Sequence, residues 1–144
     1  SDHPKGEKTF KLAIVGIDPY PMDANGIPFM KDNWSNFDAR SAGLKVLNSI
    51  TGFDIKKYSQ VKIGRKSSSP VRLAFILLDH GIVFLNSSYK FLGKEKFSKK
   101  HRIHIEESWR INSPILAQTT HIILCGGAQK IMNSILGFGN ITVE

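Results

Sequence analysis

Four short apolar runs mark the chain: Lys11 to Gly16 (KLAIVG), Gly81 to Asn86 (GIVFLN), His121 to Cys125 (HIILC) and Asn140 to Val143 (NITV). Runs of this length, apolar at consecutive positions, predict strands buried on both faces. Helical periodicity fills the gaps. Ala39 to Ile50 carries apolar residues at Ala42, Leu44, Val46, Leu47 and Ile50. Pro70 to Asp79 (PVRLAFILLD) opens on a proline suited to a first helical position. Ile103 to Gln118 forms a third pattern, which Pro114 is expected to kink or split, and Ala128 to Leu136 a fourth. Strands alternating with helices predict an α/β fold, a four-stranded, mainly parallel sheet with helices on both faces. At 144 residues the chain reads as a single domain, 1–144.

Parallel sheets bind ligands outside the carboxyl ends of their strands. Those ends are Asp18 to Tyr20, Asn86 to Ser88 and Gly126-Gly127. The first is unusual. In GIDPYP, positions 16 to 21, a buried strand ends on an acid, and two prolines flank a tyrosine. The prolines fix φ on either side of that ring, so the loop is stiff. A stiff loop holding a carboxylate at a strand end reads as a site.

Charge narrows what the site meets. The formal net charge is +8 and the sequence pI is about 9.7. That excess favours an anionic partner, nucleic acid before an acidic membrane, or else a merely basic soluble protein. It is concentrated. Lys90 to Arg102 holds six Lys or Arg against one Glu, and Lys56 to Arg72 holds six against none. Both stretches read as surface loops. The apolar content of 41% suffices for a packed core, and no stretch has the length of a membrane span. The single cysteine, Cys125, excludes an internal disulfide and a four-cysteine iron–sulfur cluster, which favours an intracellular location, cytoplasm or nucleus. No His/Cys/Asp grouping has metal spacing and no Walker-type loop occurs, so no cofactor is expected.

Three segments carry a resemblance. GIDPYPMDANGIPF resembles the water-activating loop of uracil-DNA glycosylases and the segment after it, which ends in a stacking phenylalanine. DHGIVFLNSS resembles that family's uracil-recognition strand, which ends in an asparagine, and HIILCGGAQK resembles its last full strand and glycine-serine loop. Ile17 and Pro21 make the first segment most similar to the poxviral branch. The likeness runs from about Lys11 to Lys130, with the three segments in the family's order and spacing. It implies a three-layer α/β/α fold and hydrolysis of the N-glycosidic bond of uracil in DNA, the first step of base excision repair.

The residue types suit that chemistry. Base removal requires the nucleotide to be flipped out of the helix into a pocket. The resemblance assigns Asp18 to catalysis, beneath the sugar, where a carboxylate orients water and stabilises a sugar cation. An Asp that merely caps a turn is the alternative. Phe29 is the stacking floor, or else an ordinary core phenylalanine. Asn86 is the edge reader, since a side-chain amide offers the donor and acceptor that match O4 and N3–H of uracil. A turn residue at a strand end is the other reading. Tyr20 crowds C5 and excludes the methyl of thymine, with Ile17 beside it in the base pocket, or it simply packs. Gly126 and Gly127 bring backbone N–H groups to a phosphate, with Gly127 where the family usually has serine. Ser87, Ser88, Lys99 and Lys100 are further phosphate contacts. His80 is expected to cap a helix or lie on the surface; His101 and His104 fall in or after the basic loop.

Departures from the family pattern are as clear. No His-Pro-Ser segment occurs in these residues; the only His-Pro is His3-Pro4. The chain reads as short at both ends relative to the family, and Lys31 to Asp38 lacks its run of prolines. Loss of one preorganised donor to a developing anion slows an enzyme about 10²–10³-fold. A slow glycosylase, a fragment of one, or a glycosylase-like DNA-binding or replication-accessory module all fit the sequence at this point.

Overall fold

The computed structural model describes residues 8–19, 27–31, 34, 42–52, 62–63, 66–67, 69–95 and 98–136. Within them, strand β1 (Phe10–Gly16) is followed by helix α1 (Ala42–Thr51), the short strands β2 (Lys62–Ile63) and β3 (Lys66–Ser67), and helix α2 (Pro70–Asp79). Strand β4 (Ile82–Asn86), helix α3 (Arg102–Ala117), strand β5 (Thr119–Leu124) and helix α4 (Ala128–Leu136) complete the order.

The sheet holds three parallel strands in the order β4-β1-β5 among the described residues. The expected fourth strand, Asn140 to Val143, lies outside them, as does Ala39 to Ser41 at the head of the first expected helix. β1 is central, which is why its sequence is apolar at consecutive positions. Ile14 faces a core shared with Leu47 of α1 and Leu73, Ala74 and Leu77 of α2. Ala13 and Val15 face the opposite core, with Leu116 of α3 and Ala128 and Met132 of α4. Helices therefore cover both faces, giving three layers.

Local chemistry sets the helix limits. Ser69 caps α2, its hydroxyl accepting from Arg72 N–H at 3.1 Å, and Pro70 occupies the first turn, where no N–H partner is needed. Residues 70, 73, 74 and 77 then point to the sheet. Pro114 neither splits α3 nor ends it: the helix runs on to Ala117. The proline sits near the C-terminal turn, so it removes one i→i−4 bond and interrupts little else. The two basic stretches are only partly loop. β2 and β3 pair antiparallel within the first, and α2 begins at Pro70. The second contains the tight turns Gly93–Glu95 and Lys99–His101 and ends on the first residue of α3.

The sheet's register positions the site. Gly16 lies opposite Asn86 and Val15 opposite Leu124. The ladder continues past the strand ends, with Ser87 N–H donating to Gly16 C=O, Ser88 N–H to Ile17 C=O and Cys125 N–H to Val15 C=O, at 2.8–2.9 Å. The three loops that follow the strands emerge at one edge because the strands are parallel.

Candidate functional site at the carboxyl edge of the sheet

Gly16 is where the site begins. A Cβ at this position would lie 2.7 Å from Cζ of Phe29, closer than real Cβ atoms come. The Phe29 ring therefore occupies the space above a residue that has no side chain. Phe84 holds it from the side, edge-on, with ring centroids 5.9 Å apart and planes at 64°. Phe29 itself has φ 66°, in the left-handed region. A bulky residue there costs about 1–3 kcal/mol and persists only where its surroundings fix it.

Asn86 is the neighbour of Gly16 across the ladder. Side chains alternate along a strand, so Asn86 shares a face with Phe84 and Ile82, the face over which the Phe29 ring lies. Asn86 is 4% exposed. Its backbone is fully engaged, whereas its side-chain amide takes no hydrogen bond among the described residues. An aromatic ring and an amide with no hydrogen bond to a described residue thus lie on one face of the sheet.

Asp18 lies two residues beyond Gly16. Its Oδ2 accepts from Leu92 N–H at 2.8 Å, tying the loop after β1 to the loop after β4. Oδ1 takes no hydrogen bond among the described residues. Among the described residues the carboxylate is held by one oxygen only. Tyr20 lies outside the described residues.

The other expected residues lie in different surroundings. Ile17 packs against Leu92, Ile105 and Ile131, and its Cδ1 lies 3.8 Å from a Cβ built on Gly126. It is half-buried against that cluster, whereas Phe29 packs against the cluster that contains Ile14. Ser87 and Ser88 are 1% and 0% exposed. The Ser87 hydroxyl donates to Gly16 C=O at 2.8 Å and that of Ser88 to Lys90 C=O at 2.7 Å. The first joins the loop after β4 to the end of β1 and the second holds the loop's own backbone, so each hydroxyl proton is given to a backbone carbonyl. Gly126 has φ 57° and is exposed in the turn between β5 and α4, next to Gly127. Lys99 and Lys100 are exposed on the turn before α3; Lys100 is paired with Glu95, whose carboxyl it holds below the usual range by hydrogen bond and charge. His80 ends α2, its N–H donating to Ile76 and Leu77 C=O, and is exposed. His101 and His104 stand with ring centroids 6.3 Å apart beside the basic turn.

Three further residues carry no functional signal in their local sequence. Asn112 Nδ2 donates to Asn86 C=O at 2.7 Å, and Tyr89 hydroxyl donates to Asn112 Oδ1 at 2.8 Å. Tyr89 N–H donates to Ser108 Oγ at 2.9 Å. Burial raises the Tyr89 phenol above its ordinary value, against a smaller opposing effect of its bond with the Asn86 backbone. The available clue was spacing: Ile105, Ser108, Asn112 and Leu116 form one inward stripe of α3, in which two members are polar.

An apolar groove of about 330 Å³ runs beside β4, lined by Ala74, Phe75, Leu78, Phe84 and Ile111 among others. Its lining takes in Pro28 and Tyr89, neighbours of the edge described above, and contains neither Asp18 nor Asn86. Among the described residues no three His, Cys, Asp or Glu side chains gather as metal ligands, and no helix is long and apolar enough to cross a membrane.

No protein-family model matches the chain. The chain is similar to the uracil-DNA glycosylase of Fowlpox virus (strain NVSL), with 27% identity over 124 residues. The match takes in 74% of this chain and 53% of the viral protein, so the chain spans about half the length of that curated relative. A parallel α/β sheet, a carboxylate and an amide at its carboxyl edge, and similarity to a poxviral uracil-DNA glycosylase agree with the family likeness of the three sequence segments.

Proposed function

We propose that this protein is a DNA glycosylase that hydrolyses the N-glycosidic bond of uracil in DNA. The observation that carries the reading is the adjacency of an aromatic ring and an amide that takes no hydrogen bond among the described residues: Phe29 over Gly16, with Asn86 opposite Gly16 in the ladder. The similarity to the fowlpox enzyme supports it.

In this reading an extruded uracil stacks on Phe29. The Asn86 amide donates to O4 and accepts from N3–H. Cytosine presents the reverse pattern and would leave both partners unpaired, at about 1–3 kcal/mol for each buried group. The family resemblance gives Tyr20 the task of turning thymine away at C5. Asp18, steadied through Oδ2 by Leu92 N–H, uses its other oxygen to orient a water toward C1′ and to stabilise positive charge on the sugar. Water adds to C1′ as the bond to N1 breaks, giving free uracil and an abasic sugar. The N–H groups of Gly126 and Gly127, and the basic turn with Lys99 and Lys100, grip phosphates.

A DNA-binding or replication-accessory module with an idle pocket would share the binding and lack the chemistry. Incubation with a uracil-containing oligonucleotide, then alkali to cleave abasic sites, separates the two. Strand scission at uracil alone is expected. Binding without scission would refute the enzyme and leave the module.

A further inference from the structure

We infer that Asn112 and Tyr89 are positioning residues that aim the Asn86 amide at the base; this deepens the glycosylase reading and rests on it. β4 is an outer strand of the described sheet. In a parallel ladder, alternate residues direct their backbone groups to opposite neighbours. Ser87 N–H goes to Gly16 C=O, on the β1 side. The backbone groups of Asn86 therefore point the other way, toward the open edge.

Helix α3 meets them there. Asn112, 0% exposed, donates to Asn86 C=O at 2.7 Å. Tyr89 hydroxyl takes a longer bond of 3.4 Å from Asn86 N–H and donates to Asn112 Oδ1 at 2.8 Å. Tyr89 is itself anchored, N–H to Ser108 Oγ, and Ser108 Oγ to His104 C=O at 2.8 Å. The Asn86 backbone is thus held by Asn112 and Tyr89 on the side away from β1, next to Ser87, which is bonded to β1, while its side-chain amide has no partner among the described residues. Other residues fix the frame, and no described residue takes up the hydrogen bonds of the reader itself. A reader that must discriminate donor from acceptor needs this, because a loosely held amide can rotate and accept either pattern.

A plain structural role, satisfying an open sheet edge, predicts loss of stability and no change in base preference. The two are separated by binding of single-stranded oligonucleotides carrying one uracil, cytosine or thymine, measured by fluorescence anisotropy with melting curves on every variant. Asn112→Leu and the milder Tyr89→Phe are each expected to lower the preference for uracil over cytosine about 2–13-fold, the factor carried by one buried hydrogen bond. In an Asn86→Ala background the same changes are expected to do nothing further to preference. A wild-type uracil preference that survives both single changes, or falls equally in the Asn86→Ala background, overturns the positioning role alone. Absence of any uracil preference in the wild type overturns the base-reading role and the positioning role together. If Asn112→Leu does not fold, Tyr89→Phe decides.

Discussion

Gly16 and Phe29 share one volume: the Cβ that any other residue would carry at 16 would sit 2.7 Å from Phe29 Cζ. Gly16→Ala must therefore push the ring aside. The ring is held by Phe84 and by a left-handed backbone, so it cannot swing freely. Overpacking of this kind costs about 1–3 kcal/mol. The expected result is a modestly lower melting temperature and a disproportionate loss of uracil binding. Unchanged uracil binding in a destabilised Gly16→Ala protein would show that Phe29 is only a core residue.

Asp18→Asn tests the carboxylate without disturbing the loop, since an amide oxygen can still accept from Leu92 N–H. Removal of a general base lowers rates by about 10²–10⁴-fold. Excision is expected to fall by that order, with affinity for uracil DNA and the melting temperature nearly unchanged. Equal excision by wild type and variant would remove Asp18 from the mechanism.

Two neighbouring lysines are expected to differ. Lys100 is paired with Glu95, whereas Lys99 has no ion-pair partner among the described residues. Each phosphate contact contributes about 0.7 to the salt slope on single strands. Lys99→Gln should reduce the slope of log affinity against log salt by about that amount, and Lys100→Gln by less, because a phosphate must compete with Glu95. Neither should alter base preference. Identical slopes for both variants would mean that the ion pair does not modulate binding.

Tyr89 predicts a pH dependence. Burial raises its phenol above the reference value of 10.0. The folded state then keeps this proton at a pH where the unfolded chain has released it. Stability from this group is complete below the unfolded value and is lost as pH rises through the folded one. Urea melts at about pH 8 and about pH 10.5 should show a larger drop in wild type than in Tyr89→Phe. The same drop in both proteins would deny the shift.

Specificity can be moved at two positions. Asn86→Asp is expected to admit cytosine, because a carboxylate accepts from the cytosine amino group. Tyr20→Ala is expected to admit thymine by opening the C5 side. Competition between uracil, cytosine and thymine oligonucleotides reads both. A Tyr20→Ala protein that still rejects thymine while binding uracil normally would place the gate elsewhere.

Apolar patterning was enough to locate the main strands and the helices between them. β1 and β4 are apolar at consecutive positions because both of their faces are covered, and that pattern is readable in one dimension. Alternation of strand and helix then set the parallel direction, which brings Asp18, Asn86 and Gly126 to one edge. The three motif segments pointed to the same residues independently.

What each residue does at that edge depends on packing between distant segments. Ser87 and Ser88 look like phosphate ligands in sequence, yet their hydroxyls are used by Gly16 and Lys90 carbonyls. Ile17 sits inside the loop motif and turns instead to Leu92, Ile105 and Ile131. In α3, Ile103 and Ile111 are both 58% exposed while Ser108 and Asn112 are buried. Hydrophobicity ranks those positions in the wrong order because a buried polar group is tolerated only with a partner, and the partner is remote in sequence. Asn112 finds Asn86 26 residues away, and Tyr89 23 residues away. Local pattern records which residues prefer to leave water; it carries no record of which distant donor will meet which acceptor once the sheet and helix are packed.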